Sequence, residues 1–210
     1  MPRIVGGALG GRVIEAPSIG TRPTSERVRE AVFSKLEHAN ALAGARVLDL
    51  FAGSGALAFE ALSRGGERAV IVEQSRKAAE VVRQNAQALG VAARVELVVD
   101  DAARFMSRLG REAAVRSGFD LVLLDPPYDY PPNRLDKLLV ELAEGGTLAD
   151  GAVVVVERST RSTPPQWPLG LYQTDQKKYG ETTVYFAVAE PAEPGAPAMS
   201  PLPNQIGVDQ

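Results

Sequence analysis

Five short apolar runs, each followed by a stretch that suits a helix or a turn, restrict the fold of this chain more than any other feature. The runs are Arg46-Val-Leu-Asp-Leu-Phe51, Arg68-Ala-Val-Ile-Val-Glu73, Arg94-Val-Glu-Leu-Val-Val99, Phe119-Asp-Leu-Val-Leu-Leu124 and Ala152-Val-Val-Val-Val-Glu157. Their near-continuous apolar character marks strands buried on both faces. The segments between them predict helices over Ala56 to Arg64, Ser75 to about Leu89, Ala102 to about Arg116 and Arg134 to Ala143. Ser75 is a cap, and Gly65-Gly66 and Gly90 are stops. Strand and helix in turn demand crossover connections, hence an α/β fold with a mostly parallel sheet covered by helices on both faces. The pattern changes near the end. Leu171 to Lys177 and Thr182 to Ala189, joined across Tyr179-Gly180, read as a C-terminal antiparallel hairpin.

Ahead of the alternation, Arg3-Ile-Val-Gly6 and Arg12-Val-Ile-Glu-Ala16 flank four glycines (Gly6, Gly7, Gly10, Gly11) and predict a β-hairpin. Gly20-Thr-Arg-Pro-Thr24 then breaks the chain. Thr24 or Ser25 caps a helix to about Ala39, with Val28, Ala31, Val32, Phe33 and Leu36 on its apolar side. The expected organisation is a small hairpin-and-helix extension over residues 1–40 and a main domain over 41–189. Residues 190–210, with five prolines and no aromatic residue, are expected to be a disordered tail.

Composition removes several chemistries. The 210 residues contain no cysteine, so disulfides and thiolate metal sites are excluded. A single histidine, His38, gives no basis for a histidine zinc site or a Ser-His-Asp triad, and no metal is expected. No segment approaches a membrane span and no apolar signal core opens the chain, so a cytoplasmic protein is expected. The net charge of −3 is unevenly spread. Residues 1–36 carry six cations (Arg3, Arg12, Arg22, Arg27, Arg29, Lys35) against three anions (Glu15, Glu26, Glu30). Residues 190–210 carry Glu190, Glu193 and Asp209 and no cation. A basic front on an acidic chain fits docking on phosphates, and it equally describes an ordinary solvated helix face.

Open α/β sheets bind ligands beyond the carboxyl ends of their strands, at the switch in strand order. Four such ends carry the chemically loaded residues of this chain. Asp49-Leu-Phe-Ala-Gly53-Ser-Gly55 lets backbone turn tightly and approach a ligand, although a plain strand–helix turn needs only one of its glycines. Glu73, about twenty residues beyond, is placed to accept two ribose hydroxyls. In Asp100-Asp101-Ala102 an acid can accept from an adenine amino group and the Ala102 amide can reach a ring nitrogen; helix capping is an equal claim on Asp101. Asp125-Pro-Pro-Tyr128 ends the fourth strand. Its prolines cannot donate to a ladder and stiffen the backbone, holding a carboxylate on one side and presenting a ring on the other. An acceptor beside a ring suits a planar amine.

Together these ends describe a pocket for an adenosine plus a clamp for a second planar group. A dinucleotide dehydrogenase competes, because Gly53-Ser-Gly55-Ala-Leu-Ala58 fits G-x-G-x-x-A and Glu73 fits the ribose acid. Against it, the loop does not follow the first strand of the chain, and hydride transfer has no use for Asp-Pro-Pro-Tyr.

These motifs resemble the class I S-adenosylmethionine-dependent methyltransferases that modify exocyclic amines. Residues 3–36, with Gly20-Thr-Arg-Pro-Thr-Ser-Glu-Arg-Val-Arg-Glu-Ala-Val-Phe33, and Leu62-Ser-Arg-Gly65 resemble more narrowly the RsmD family, bacterial 16S rRNA guanine-N2 methyltransferases. The resemblance covers about residues 3–189, and the tail beyond Glu190 departs from it. It implies a Rossmann-like class I sheet and S-adenosylmethionine as cofactor. Asp49, Ala52, Gly53 and Gly55 would hold the methionine part, Glu73 the ribose, and Asp101 with Ala102 the adenine; Thr24 would pack over the cofactor. Asp125, Pro126, Pro127 and Tyr128 would form the catalytic clamp. Arg3, Arg12, Arg22, Arg27 and Arg29 would face RNA, with Arg22 alternatively on the methionine carboxylate. The partner would be 16S rRNA in the small ribosomal subunit or an assembly intermediate, and the protein a monomer. The same tetrapeptide serves adenine-N6 DNA and protein glutamine methyltransferases. A DNA enzyme usually needs a large recognition domain, and a glutamine enzyme more often begins the motif with Asn. A non-catalytic ribosome-binding module would keep the arginines without needing the four-acid pocket.

Overall fold

A computed structural model of the chain describes residues 2–17, 25–112 and 118–190. Arg22, Thr24 and the predicted tail beyond Glu190 therefore lie outside the described residues. In chain order the elements are α1 (Glu26–His38), β1 (Arg46–Asp49), α2 (Ala56–Ser63), β2 (Arg68–Val72), α3 (Arg76–Leu89) and β3 (Val95–Val98). Then come α4 (Ala102–Glu112), β4 (Phe119–Leu124), α5 (Pro132–Glu144), β5 (Leu148–Ser159), β6 (Leu171–Tyr179) and β7 (Thr182–Ala189). The strands form one seven-stranded sheet in the order β3-β2-β1-β4-β5-β7-β6. All pairs from β3 to β5 are parallel; β5–β7 and β6–β7 are antiparallel. Winding proceeds one way from β1 to β3 and the other way from β4 onward, so the order switches between β1 and β4.

The register explains why the acids meet. Asp49 lies opposite both Ile71 and Leu123. Glu73 and Asp125, two residues further on and each just past the end of β2 and β4, therefore leave the sheet at the same carboxyl end as the loop after β1. Alternate residues feed two apolar layers, as strands buried on both faces require. One layer packs α1, α2 and α3 on Val47, Ile71, Leu121, Leu123 and Phe186; the other packs α4 and α5 on Leu48, Val72, Val122, Leu124 and Val156. The N-terminal segment shares the first layer: Ile4 and Ile14 are buried with Phe33 and Phe59. It pairs through one bridge, Arg3 with Val13, around a single 3₁₀ turn at Gly7–Leu9.

Boundaries moved for local reasons. Ser25 caps α1, its hydroxyl accepting from the Val28 amide at 3.2 Å. Helix α5 starts two residues earlier than its periodicity predicts, because Pro132 occupies the first position, where a missing N–H costs nothing. Strand β5 is longer at both ends, since Leu148 pairs with Phe119 and Arg158 with Thr183. Among the described residues no helix is long and apolar enough to cross a membrane.

Candidate functional site

The loop between β1 and α2 forms the floor of the site. Asp49, the last residue of β1, is wholly buried, and neither carboxylate oxygen has a partner in full hydrogen-bond geometry. Burial raises its pKa from 3.8 to about 7; the nearby charges of Asp125 and Glu73 push the same way, and the Phe51 and Ala58 amides offset part of the rise. Gly53 (φ +56) and Gly55 (φ +81) adopt left-handed backbone. A Cβ on Gly55 would meet the Phe59 ring at 2.5 Å, so close packing of loop on helix requires glycine there. Above Gly53 a Cβ would meet nothing within 4 Å, which leaves the loop open to a ligand on that side.

Glu73 holds this loop. Its Oε2 accepts from the Gly53 amide at 2.8 Å and its Oε1 from the Ser75 amide at 2.7 Å. An ionised carboxylate offers about four lone-pair positions, so each oxygen keeps one for a hydroxyl donor. Asp101 caps α4: its Oδ1 accepts from the Ala103 and Arg104 amides at 3.1 and 3.2 Å, and its Oδ2 lies 3.6 Å from Arg134. Asp100 is engaged in an ion pair with Arg108 at 2.8 Å. Ala102 is buried beside them.

Directly after β4 the tetrapeptide grades from interior to surface. Asp125 is half-buried, Pro126 buried, Pro127 exposed, and Tyr128 54% exposed. The Tyr130 amide donates to the Pro127 carbonyl at 2.9 Å and closes a turn. The Tyr130 ring stands edge-on to Phe51, with centroids 5.0 Å apart, which ties this turn to the β1 loop. Arg134 lies over that ring, 5.4 Å from its centroid, and Arg158 donates to the Tyr130 carbonyl at 3.0 Å. Arg158 is 4% exposed, and burial lowers its pKa. Phe51, Tyr130 and Arg158 were not predicted as site residues. The legible signal was position: Phe51 and Arg158 each stand at the carboxyl end of a core strand.

The basic front does not form one surface. Arg29 was expected to face RNA, and this is corrected: it is 0% exposed, its Nε lies 3.3 Å from Glu60, and its Nη2 donates to the Arg3 carbonyl. Its position on the apolar stripe of α1 directs it inward. Arg12 donates to the Leu89 and Ala88 carbonyls at 3.1 and 2.6 Å, capping the C-terminus of α3. Arg3 pairs with Glu26 at 3.1 Å, and Arg27 is exposed.

Comparison with known proteins agrees with this architecture. A family model described as Conserved hypothetical protein 95 matches residues 2–188. Ribosomal RNA small subunit methyltransferase D of Escherichia coli (strain K12) is 35% identical over 167 residues, 79% of each chain. The solved structure of yhhF from Escherichia coli superposes with a TM-score of 0.78 at 31% identity, covering 90% of this chain and 97% of that one. An RNA methyltransferase from Salinibacter ruber, solved in complex with S-adenosyl-L-homocysteine, shares the fold at a TM-score of 0.59 and 23% identity, over 83% of this chain and 97% of its own.

Proposed function

The chain belongs to the RsmD family of methyltransferases, and on that premise we propose that it methylates the exocyclic N2 of a guanine in 16S rRNA of the small ribosomal subunit. The observation that carries this reading is the meeting of Asp49, Glu73 and Asp125 at the carboxyl ends of neighbouring central strands, on either side of the β1–β4 switch.

The residues present fit S-adenosylmethionine. The open side of Gly53 admits a ligand against backbone, and Ala52 and Gly55 on the same turn are assigned to that wall by family resemblance. Glu73 keeps acceptor capacity for two ribose hydroxyls while holding the loop. Asp101 and the Ala102 amide frame the adenine edge, and Thr24 is assigned to its cover by family resemblance. Asp49 lies beneath as an acid that ionises most readily when positive charge is placed above it. The cofactor supplies an electrophilic methyl group.

Everything else falls to the chain. The guanine amine is a weak nucleophile because its lone pair is delocalised into the ring. Asp125 and the Pro126 carbonyl accept its two N–H bonds and bias the nitrogen toward a pyramidal, more nucleophilic shape. Tyr128, exposed at the rim, stacks on a base drawn out of its helix. Asp125 then takes the proton that the methylated nitrogen releases. Holding the reacting atoms about 3–3.5 Å apart supplies most of the rate. A cytoplasmic, metal-free monomer belongs to the same reading.

The test is transfer of tritiated methyl groups to small subunits from a strain lacking its own guanine-N2 enzyme, with nucleoside analysis. Label in N2-methylguanosine supports the reading. Label in N6-methyladenosine keeps the pocket and changes the base, and no label despite cofactor binding redirects the search to protein or DNA acceptors.

A further inference from the structure

Asn85 lies on α3, 2% exposed, and makes three hydrogen bonds outside its own helix. Its Nδ2 donates to the Ser54 carbonyl at 3.0 Å and to the Glu15 carbonyl at 2.9 Å, and its Oδ1 accepts from the Glu15 amide at 2.8 Å. The two carbonyls and one amide facing the side chain fix which end is nitrogen, because the flipped carboxamide would set its oxygen against both carbonyls. Asn85 thus pairs with Glu15 as a neighbouring strand would, and spends its remaining N–H on the middle of the Gly53-Ser54-Gly55 turn.

We propose that Asn85 is a positioning residue for the cofactor loop, fixing the Ser54–Gly55 peptide and tying it to the N-terminal segment. The peptide is held at both ends: its carbonyl by Asn85, and its N–H by the Ala52 carbonyl at 2.7 Å. Two residues before the Gly55 N–H, that of Gly53 is held by Glu73. Two flanking glycines in left-handed backbone are otherwise free to reorient, so these anchors set the direction in which the loop presents its backbone groups. Neither Asp nor Ser reproduces the arrangement. Aspartate has no donor and sets negative charge against two carbonyls, and a serine hydroxyl reaches one partner in place of three. The inference rests on the reading above that this loop binds S-adenosylmethionine.

The test uses full-length protein carrying Asn85→Asp or Asn85→Ser. Calorimetric titration with S-adenosylhomocysteine is combined with steady-state kinetics on small subunits and thermal melting. Cofactor-product binding is expected to weaken about ten-fold or more, the scale of one buried carbonyl left without its donor. The KM for S-adenosylmethionine should rise in step while the KM for subunits stays within two- to three-fold. Three results overturn the inference: binding equal to wild type, a fall in kcat that tracks the folded fraction with both KM values unchanged, or loss of the fold in both variants, which makes the residue purely architectural. Failure of the wild-type protein to bind the product defeats the functional reading itself, a result separable from any effect of Asn85.

Discussion

A carboxyl group without solvent, beside two further acids, holds negative charge poorly, and Asp49 is in that position. Its folded pKa of about 7 stands above the ordinary 3.8, so between those values the folded chain keeps a proton that the unfolded chain releases. Stability therefore falls as pH rises through that window and levels above it. Asp49→Asn should remove this slope. Melting of the ligand-free protein should show the variant gaining on wild type from pH 4 to 7, with a constant difference beyond; parallel curves would mean that Asp49 ionises normally. Asp125 calls for a different experiment, because its proposed work is on the substrate. Asp125→Asn should lower methyl transfer about a hundred-fold or more while product binding, followed by calorimetry, changes little. Equal loss of both would assign Asp125 to the framework. The two acids were not equally legible in the sequence. A proline pair directly after an apolar run announces Asp125, whereas the depth of Asp49 depends on how α2 packs over the loop, which no local pattern encodes.

Helix α2 is fastened to the N-terminal segment by charge at its centre. Glu60, 0% exposed, accepts from the Val5 and Gly6 amides at 2.8 Å each and from Arg64 at 2.8 Å, and faces Arg29. Arg64 continues outward to Glu30 and Glu37 at 2.7 Å. Removing one member of a buried ionic group strands its partners, so Glu60→Gln should cost about 3–5 kcal/mol. The exposed outer pairs are screened, so Glu30→Gln should cost under about 1 kcal/mol. Urea denaturation separates the two, and similar small losses at both positions would show that water reaches the cluster. The inner arginine was readable in principle. Arg29 precedes Phe33 by four residues and Leu36 by seven, which places it on the buried stripe of α1. Counting cations by segment concealed that spacing. The ends of β5 were not readable, because its extension follows from pairing with β4 and β7, strands distant in sequence.

At the scale of the molecule, the cations that suggested an RNA-binding front are largely committed to the fold. Arg29 is interior, Arg12 caps α3, Arg3 pairs with Glu26, and Lys35 pairs with Asp175 at 2.7 Å, in a chain whose net charge is −3. A front with few cations to spare neutralises few phosphates, and the affinity it gives for bare nucleic acid scales with that number. Recognition of one base in rRNA must then draw on shape, as a folded ribonucleoprotein particle provides. Methylation of small subunits or their assembly intermediates should exceed that of protein-free 16S rRNA at least ten-fold at physiological salt. Binding to the particle should weaken only modestly on raising salt, because each phosphate contact contributes roughly one unit of slope in a plot of log affinity against log salt. Arg27, exposed on α1, is the described arginine of the front best placed to contribute such a contact, and Arg27→Glu should flatten that slope by about one unit. Equal rates on particle and naked RNA, with a steep salt dependence, would place recognition in electrostatic contacts from exposed cations outside this front, such as Arg68, Arg76 and Lys77.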